Sequence, residues 1–411
     1  KANWDLAGPV DEAKLPALID RFQGVCLGVA AALVGEGVAS IEDTDRGAKI
    51  GLRWVLGPFE IMNKIGIGKT YEVVQAICRK YPDFKMPAIL EEQQRLGKPF
   101  EFNFVDLEVK NGIAYVTLNR PEAMNALNEA VVAQLDRRFG EAEADARVKA
   151  IVFQGAGKAF VAGADIRYFV EKIKAGRIPD IVAFTRKGHE LLLRIEESKK
   201  LTIALLDGLS LGGGSELALA CQAIVATPAG SMAFPETGIG IYPGLGGMLR
   251  MARHVGPALA KYFAFTGAFI SAADALALGI VTKLVDPAEV DGAVRSLASG
   301  GKPDKYRARD IPEKFKPFAA LFGPGSVATL LAGKAPAGAP ADLAAKVVKT
   351  LGYKAPLALR IADEIVDQQA ALPMREAGEI ELGRLKDIFS TADALEGLSS
   401  AGRRRPEFKG Q

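Results

Sequence analysis

The chain is poor in the residues that disulfides and metal sites require. Its three cysteines, Cys26, Cys78 and Cys221, lie far apart among 411 residues. Neither a disulfide framework nor a zinc site follows from that spacing, and a reducing, cytoplasmic setting fits it. Only two histidines occur, His189 and His254. Neither has cysteine or carboxylate companions at metal-ligand spacing, so no metal is expected and both rings are assigned to the surface or to a helix face. Charge of one sign is also lacking: 52 basic against 49 acidic residues leave a net +3 with no strongly basic block, which offers nothing to nucleic acid. The longest conspicuous apolar run, Val25 to Val34 between Gly24 and Gly35, falls short of the roughly 18 residues of a membrane span. A buried helix and no membrane span are expected there.

Several familiar signatures are incomplete. Gly66-Ile67-Gly68-Lys69-Thr70 resembles the end of a phosphate loop, but Asn63 stands where its first glycine belongs. A turn between helices is the better reading. No GxGxxG follows a strand-like segment, so a nicotinamide cofactor has no visible home in this chain. Ser215 follows three glycines but lies in no GxSxG and has no His and Asp arrangement to activate it. The chain begins at Lys1 rather than methionine, as a fragment or a processed product does, with no signal peptide at its start.

What is present is enough apolar residue, 49% of the chain, for a large core and two domains. Residues 1–101 read as a small helical domain, with apolar residues at three- and four-residue spacing from about Leu15. Near Phe102 the pattern changes to strand alternation over Asp106 to Asn119, with a hairpin turn at Asn111-Gly112. Strand-like runs recur at Ala150 to Gly155, Thr202 to Asp207 and Ala223 to Thr227, separated by helical stretches. Residues 102–299 therefore read as an α/β domain. Residues 300–342, rich in Lys, Pro, Gly and Ala, read as an insertion or linker, and residues 343–411 return to helical spacing.

Two glycine-bearing segments stand where strands give way to helices. One is Lys158-Ala159-Phe160-Val161-Ala162-Gly163-Ala164-Asp165-Ile166, after the strand Ala150 to Gly155. The other is Gly208-Leu209-Ser210-Leu211-Gly212-Gly213-Gly214-Ser215-Glu216, before a helix Glu216 to Cys221. Unpaired N–H groups at a helix start, with glycines that admit a close approach, can form an oxyanion hole. Each segment alone is read as a tight turn. Beside them stand Glu216 and Glu236, each in an apolar setting. Singly they would be a helix-start carboxylate and a surface turn residue. Paired in a partly dry cleft, one can be held neutral as acid and the other ionised as base, which is what adding water to a double bond requires.

These residues, in this order, resemble the crotonase (enoyl-CoA hydratase/isomerase) family. The matching strings begin with Leu118-Asn119-Arg120-Pro121-Glu122-Ala123-Met124-Asn125-Ala126-Leu127, Ala162-Gly163-Ala164-Asp165-Ile166 and Gly212-Gly213-Gly214-Ser215-Glu216-Leu217-Ala218. They continue through Phe234-Pro235-Glu236, Ile239-Gly240-Ile241-Tyr242-Pro243-Gly244, Thr266-Gly267, Ile270-Ser271-Ala272 and Gly279-Ile280-Val281. The resemblance implies a ββα spiral core with C-terminal helices, behind the all-α domain. It implies an enoyl-CoA hydratase in which Ala164 and Gly213 hold the thioester oxygen. Glu216 would be the base toward water, Glu236 would supply the proton to the α carbon, and Gly244 would help hold the water. CoA is part of the substrate, and no separate cofactor is implied.

The resemblance implies substrate and CoA contacts from Ala164, Asp165 and Ile166 and places the basic Arg167 and Lys158 near the nucleotide, while Glu122 stands where typical hydratases have lysine. Phe408 and Lys409 match residues that reach a neighbouring subunit's CoA, implying a homotrimer or dimer of trimers. Phe169 and Tyr242 are candidate walls of the acyl pocket. The first hundred residues resemble the C-terminal domain of 3-hydroxyacyl-CoA dehydrogenases through Val34-Gly35-Glu36-Gly37-Val38-Ala39-Ser40, Asp45, Gly51 and Leu56-Gly57-Pro58-Phe59-Glu60. The whole therefore looks like the rear part of a dehydrogenase–hydratase fusion of fatty-acid β-oxidation. The alternatives are a Δ3,Δ2-enoyl-CoA isomerase or another crotonase-family acyl-CoA enzyme on the same fold, and a non-catalytic CoA-binding or assembly module.

Overall fold

The computed structural model describes residues 12–307, 309–337 and 339–411. The chain divides after Asn103 into two compact units.

The first unit is all helical: α1 (Leu15–Gly35), α2 (Ile41–Gly51), α3 (Pro58–Ile65), α4 (Ile67–Lys80) and α5 (Ala88–Leu96). Asp45 and Gly57 to Glu60, part of the dehydrogenase resemblance, meet at the start of α3. Asp45 on α2 is buried and accepts the N–H groups of Phe59 (2.7 Å) and Glu60 (2.9 Å). Those amides are the unpaired donors of the first turn, so a carboxylate there caps the helix. Gly57 must be glycine, because a Cβ would lie 2.2 Å from Asp45 Cγ. The Gly66–Thr70 string is the joint between α3 and α4, and Lys69 pairs with Asp20 at 2.8 Å.

The apolar run in α1 does not form the fully buried helix expected of it. Leu27, Ala30 and Ala31 face the small core, but Leu18, Ile19, Phe22, Val25, Val29 and Leu33 are exposed, Phe22 by 71%. Among the described residues, the helix around it, 12–35, is the one long and apolar enough to cross a membrane by length and composition. Its small residues pack tightly within the unit: a Cβ on Gly24 would stand 2.5 Å from the carbonyl oxygen of Val73 on α4.

The second unit is α/β. A hairpin, β1 (Val105–Lys110) and β2 (Ile113–Leu118), turns at Asn111-Gly112, both with positive φ. Next come α6 (Glu129–Ala144), β3 (Ala150–Gly155), β4 (Ala159–Ala162), α7 (Ile166–Lys174) and α8 (Ile178–Glu197). After them follow β5 (Leu201–Leu206), β6 (Leu209–Leu211), α9 (Gly213–Ala220), β7 (Ala223–Ala226), β8 (Ser231–Ala233), α10 (Gly247–Val255), β9 (Ile270–Ser271) and β10 (Lys283–Leu284). The large sheet has the order β1-β2-β3-β5-β7-β10, parallel after the hairpin, and the small one β4-β6-β8-β9. Each of β3, β5 and β7 therefore passes through a short turn into the small sheet before the chain moves on. This is the repeating ββα turn of a spiral. Ala150, Ile151, Val152 and Phe153 are all fully buried, which is why β3 reads as an unbroken apolar run.

Residues 300–342 are no free linker. They carry short helices at Lys316–Leu321 and Ser326–Leu331, and Phe315, Leu321, Phe322, Val327 and Leu330 are buried in the main core. Alternating Pro and Gly hide these anchors from any periodicity.

Candidate active site

The first glycine segment is aimed by a neighbouring loop. Asn125, fully buried, accepts from Arg120 N (2.9 Å) and donates to the carbonyls of Ala156 (2.9 Å), Ala159 (2.8 Å) and Phe160 (3.1 Å). It thereby folds the Asn119–Leu127 stretch against β4. Leu127 then forms a parallel bridge: its N–H donates to Gly163 O (2.9 Å) and its carbonyl accepts from Asp165 N (2.7 Å). In that pattern the amide between the two partners, Ala164 N–H, points away from Leu127. It has no acceptor among the described residues. Asp165 caps α7 and its carboxylate is gripped by Arg167 (2.7 Å) and Arg120 (3.3 Å). The Arg167 guanidinium holds that carboxyl below the usual range.

The second segment opens α9 at Gly213, three residues earlier than the sequence suggested. Gly213 N–H belongs to the first helical turn and lacks an intrahelical acceptor. A Cβ built on Gly213 would stand 4.0 Å from Ala164 N, and both residues line one cavity. Two amides without acceptors beside one cavity are what an oxyanion hole requires.

Both glutamates border the same cavity. Glu216, on the first turn of α9, is 2% exposed, and Glu236, opening a 3-10 turn Glu236–Ile239, is 7% exposed. Glu216 Oε1 accepts from Leu245 N (2.7 Å) and Gly247 N (2.9 Å). Glu236 Oε2 is buried and has no hydrogen-bond partner among the described residues. The glycines explain how close the carboxylates come. A Cβ on Gly212, whose φ is +46°, would lie 2.2 Å from Glu236 Oε1, and one on Gly247 would lie 2.7 Å from Glu216 Cγ.

Burial raises the pKa of both groups. Glu216 is pushed well above the ordinary value by desolvation and by the charges of Glu236 and Glu381, against the two backbone donors. Glu236 is raised by desolvation and by Glu381, while its own backbone hydrogen bond and the Lys354 ammonium oppose the shift. Two carboxylates this dry oppose ionisation.

The cavity holds about 150 Å³. Ala164, Gly213, Glu216, Glu236 and Gly244 line its polar end, while Ile166, Phe169, Phe184, Tyr242, Leu385 and Phe389 line the rest. Phe169 stacks on Phe389 with centroids 5.2 Å apart. Four expected CoA contacts lie elsewhere. Lys158 is exposed in the β3–β4 turn, and the Arg167 side chain, 75% exposed, is tied back to Asp165. Phe408 lines a separate cavity with Tyr353, Lys354 and Arg405, and Lys409 N–H donates to Asp393 Oδ1 at 2.7 Å. This tail folds on its own unit.

The two histidines are not on the surface. His254 is half-buried against Tyr306 with its Nε2 out of solvent, and His189 pairs with Glu381 at 2.9 Å in the interior. The Ser215 hydroxyl is spent on the carbonyls of Ser210 (3.0 Å) and Ala233 (3.1 Å), a packing role. Sequence reasoning missed Glu381, Lys354, Phe389 and the Leu245–Gly247 turn.

Comparison with known proteins agrees with this geometry. The family described as "Enoyl-CoA hydratase/isomerase" matches residues 113–402, and "3-hydroxyacyl-CoA dehydrogenase, C-terminal domain" matches residues 18–100. A short-chain-enoyl-CoA hydratase of Clostridium acetobutylicum is 40% identical over 200 residues, covering 48% of this chain and 75% of that protein. A probable enoyl-CoA hydratase of Bacillus subtilis is 31% identical over 310 residues, covering 75% of this chain and all of the relative. The crystal structure of an enoyl-CoA hydratase from Rhodobacter sphaeroides superposes with a TM-score of 0.64 at 27% identity, over 75% of this chain and 93% of that one. With its two unpaired amides, its buried glutamate pair and a family match over most of its length, the chain belongs to the enoyl-CoA hydratase/isomerase family, and its helical first unit matches the 3-hydroxyacyl-CoA dehydrogenase C-terminal domain.

Proposed function

We propose that this chain hydrates short trans-2-enoyl-CoA thioesters to 3-hydroxyacyl-CoA. The observation that carries the reading is the pair Glu216 and Glu236, both buried at the end of a cavity that also receives the Ala164 and Gly213 amides. The thioester oxygen accepts those two N–H groups, which lowers the cost of negative charge there as it develops. Ionised Glu216 takes a proton from water, whose oxygen bonds to C3. The π electrons move toward the thioester as an enolate. Glu236, entering protonated, then gives its proton to C2. The pair begins and ends with one proton, which has changed carboxyl and returns by exchange with solvent water. Gly244 lies beside the glutamates in the lining and is assigned to the water's support.

Chain length follows from volume. A cavity of about 150 Å³ is the size that accepts benzene in an engineered core, so an acyl group of roughly four to six carbons fits. Phe169, Phe184 and Phe389 supply aromatic lining to it. Lys158, Asp165, Ile166 and Arg167 remain the proposed CoA-side contacts, with Phe408 and Lys409 serving a neighbouring copy in a trimer or dimer of trimers. A reducing, cytoplasmic setting is supported by three free cysteines. No nicotinamide is assigned to the chain.

Incubating the protein with crotonyl-CoA in deuterium oxide tests the activity. The expected product is 3-hydroxybutyryl-CoA carrying one deuterium at C2. No hydration, with 3-butenoyl-CoA isomerised instead, would replace the proposal by the isomerase reading.

A further inference from the structure

The Leu245–Gly247 turn is held by two carboxylates. Its first and third N–H groups donate to Glu216, and its middle one, Gly246 N–H, donates to Glu381 Oε1 at 2.7 Å. Glu381 is fully buried on the helix Met374–Gly383 and does not line the substrate cavity. The same Oε1 meets His189 Nε2 of α8 at 2.9 Å, and its Oε2 is buried with no partner among the described residues. An oxygen that accepts from both requires a proton on His189 Nε2. The ring is fixed from behind, since a Cβ on Gly378 would stand 3.4 Å from His189 Nδ1. The backbone of Glu381 is pinned as well, its carbonyl accepting from the Tyr242 hydroxyl at 2.7 Å. Arg250 completes the frame by donating to Leu245 O at 3.0 Å.

An ionisable group in a dry interior costs several kcal/mol unless it is paired. Leucine at 381 would avoid that cost but leave the Gly246 N–H and the His189 ring without their acceptor.

We propose that Glu381 and His189 are positioning residues for the hydration: they hold Gly246, and through it the two amides that orient Glu216 toward water. The inference rests on the reading of Glu216 as the base. Glu381 acts on the site in a second way, through its charge. It raises the pKa of both Glu216 and Glu236. The other charged and titratable groups around it are His189, with the Arg186–Glu379 pair beside that ring, then Tyr242, Arg250, Arg384 and Asp387.

The test compares Glu381→Gln, Glu381→Leu, His189→Gln and His189→Leu with Glu216→Gln in crotonyl-CoA hydration, with pH profiles. The leucine variants are expected to lose about 100-fold in kcat with little change in KM, because a carboxylate displaced by about 1 Å loses that much. His189→Gln keeps a donor near the Nε2 position and should recover most of the loss. Glu381→Gln keeps an acceptor for Gly246 but removes a negative charge. Both catalytic carboxyls then ionise more easily, and the limbs of its pH profile move to lower pH. A purely structural role would leave the profile in place. Wild-type kcat in both leucine variants, or an unmoved profile in Glu381→Gln, overturns the proposal. If Glu216→Gln itself keeps wild-type turnover, the reading of the base fails first and takes this inference with it.

Discussion

Gly247 offers a perturbation in which backbone strain plays no part. Its φ is not positive, and it is the first residue of α10, so alanine suits the backbone there and even favours a helix by about 1 kcal/mol. The whole effect of Gly247→Ala is therefore steric. The added Cβ would lie 2.7 Å from Glu216 Cγ, 2.7 Å from Phe234 Cε1 and 2.9 Å from Glu216 Oε1. Comfortable carbon contacts begin at roughly 3.5 Å, so both contacts must open by about 0.8 Å, through Glu216 and a shift of the Gly247 backbone away from Phe234. Phe234 is locked in the core, with 1% of its surface exposed. Glu216 is the group with a cavity beside it. Its displacement loosens the bonds to Leu245 and Gly247 and turns the carboxylate away from the attacking water. A misplacement of this size costs about 100-fold in rate, or roughly 2.7 kcal/mol of barrier. Overpacking should take about 1–3 kcal/mol from stability. The assay is the loss of enoyl-thioester ultraviolet absorbance with crotonyl-CoA, together with butyryl-CoA affinity by calorimetry and a urea melt. Butyryl-CoA should bind nearly as to wild type, because the oxyanion amides are untouched. A folded Gly247→Ala protein turning over at the wild-type rate would refute the placement of Glu216.

Phe169→Ala removes the ring stacked on Phe389. It should raise kcat/KM for six- to eight-carbon enoyl-CoAs relative to crotonyl-CoA by about tenfold or more, since a methylene accommodated is worth roughly 1–3 kcal/mol. An unchanged preference would remove Phe169 from the pocket's lining. His254, desolvated beneath Tyr306, has its pKa lowered from 6.5 to about 3, and its Nε2 has no partner among the described residues. The unfolded chain takes up that proton first, so the stabilising contribution is complete above pH 6.5 and fades as pH falls toward 3. The slope is about 1.4 kcal/mol per pH unit. Urea midpoints at pH 7 and pH 5 should therefore differ less in His254→Phe than in wild type, and equal differences would contradict the desolvated neutral ring.

The residues that meet at the cavity were legible where chemistry and chain order coincide. Ala164, Gly213 and both glutamates sit in compact strings, each close to a strand end. Short elements were not. β4, β6 and β8 span four, three and three residues, too few for alternation to register, yet they aim both oxyanion segments. Composition misled at α1, where an apolar run can be core or an exposed face, and at residues 300–342. Glu381 and His189 are 192 positions apart, so no local motif joins them. A weaker signal existed. Glu381 falls on the stripe with Ala377, Gly378 and Leu382, and His189 on that with Thr185, Gly188 and Leu192, all buried. A polar residue at an inward position asks for a partner.

The central claim is that two buried carboxylates handle water while two backbone amides hold the thioester. It is tested most directly by measuring kcat for crotonyl-CoA hydration in Glu216→Gln and Glu236→Gln, alongside butyryl-CoA affinity by calorimetry. Each variant should lose about 10²- to 10⁴-fold in kcat, the scale of a lost acid or base, while affinity stays near that of wild type. Near-wild-type turnover in both variants, or an affinity that falls in step with kcat, would contradict it.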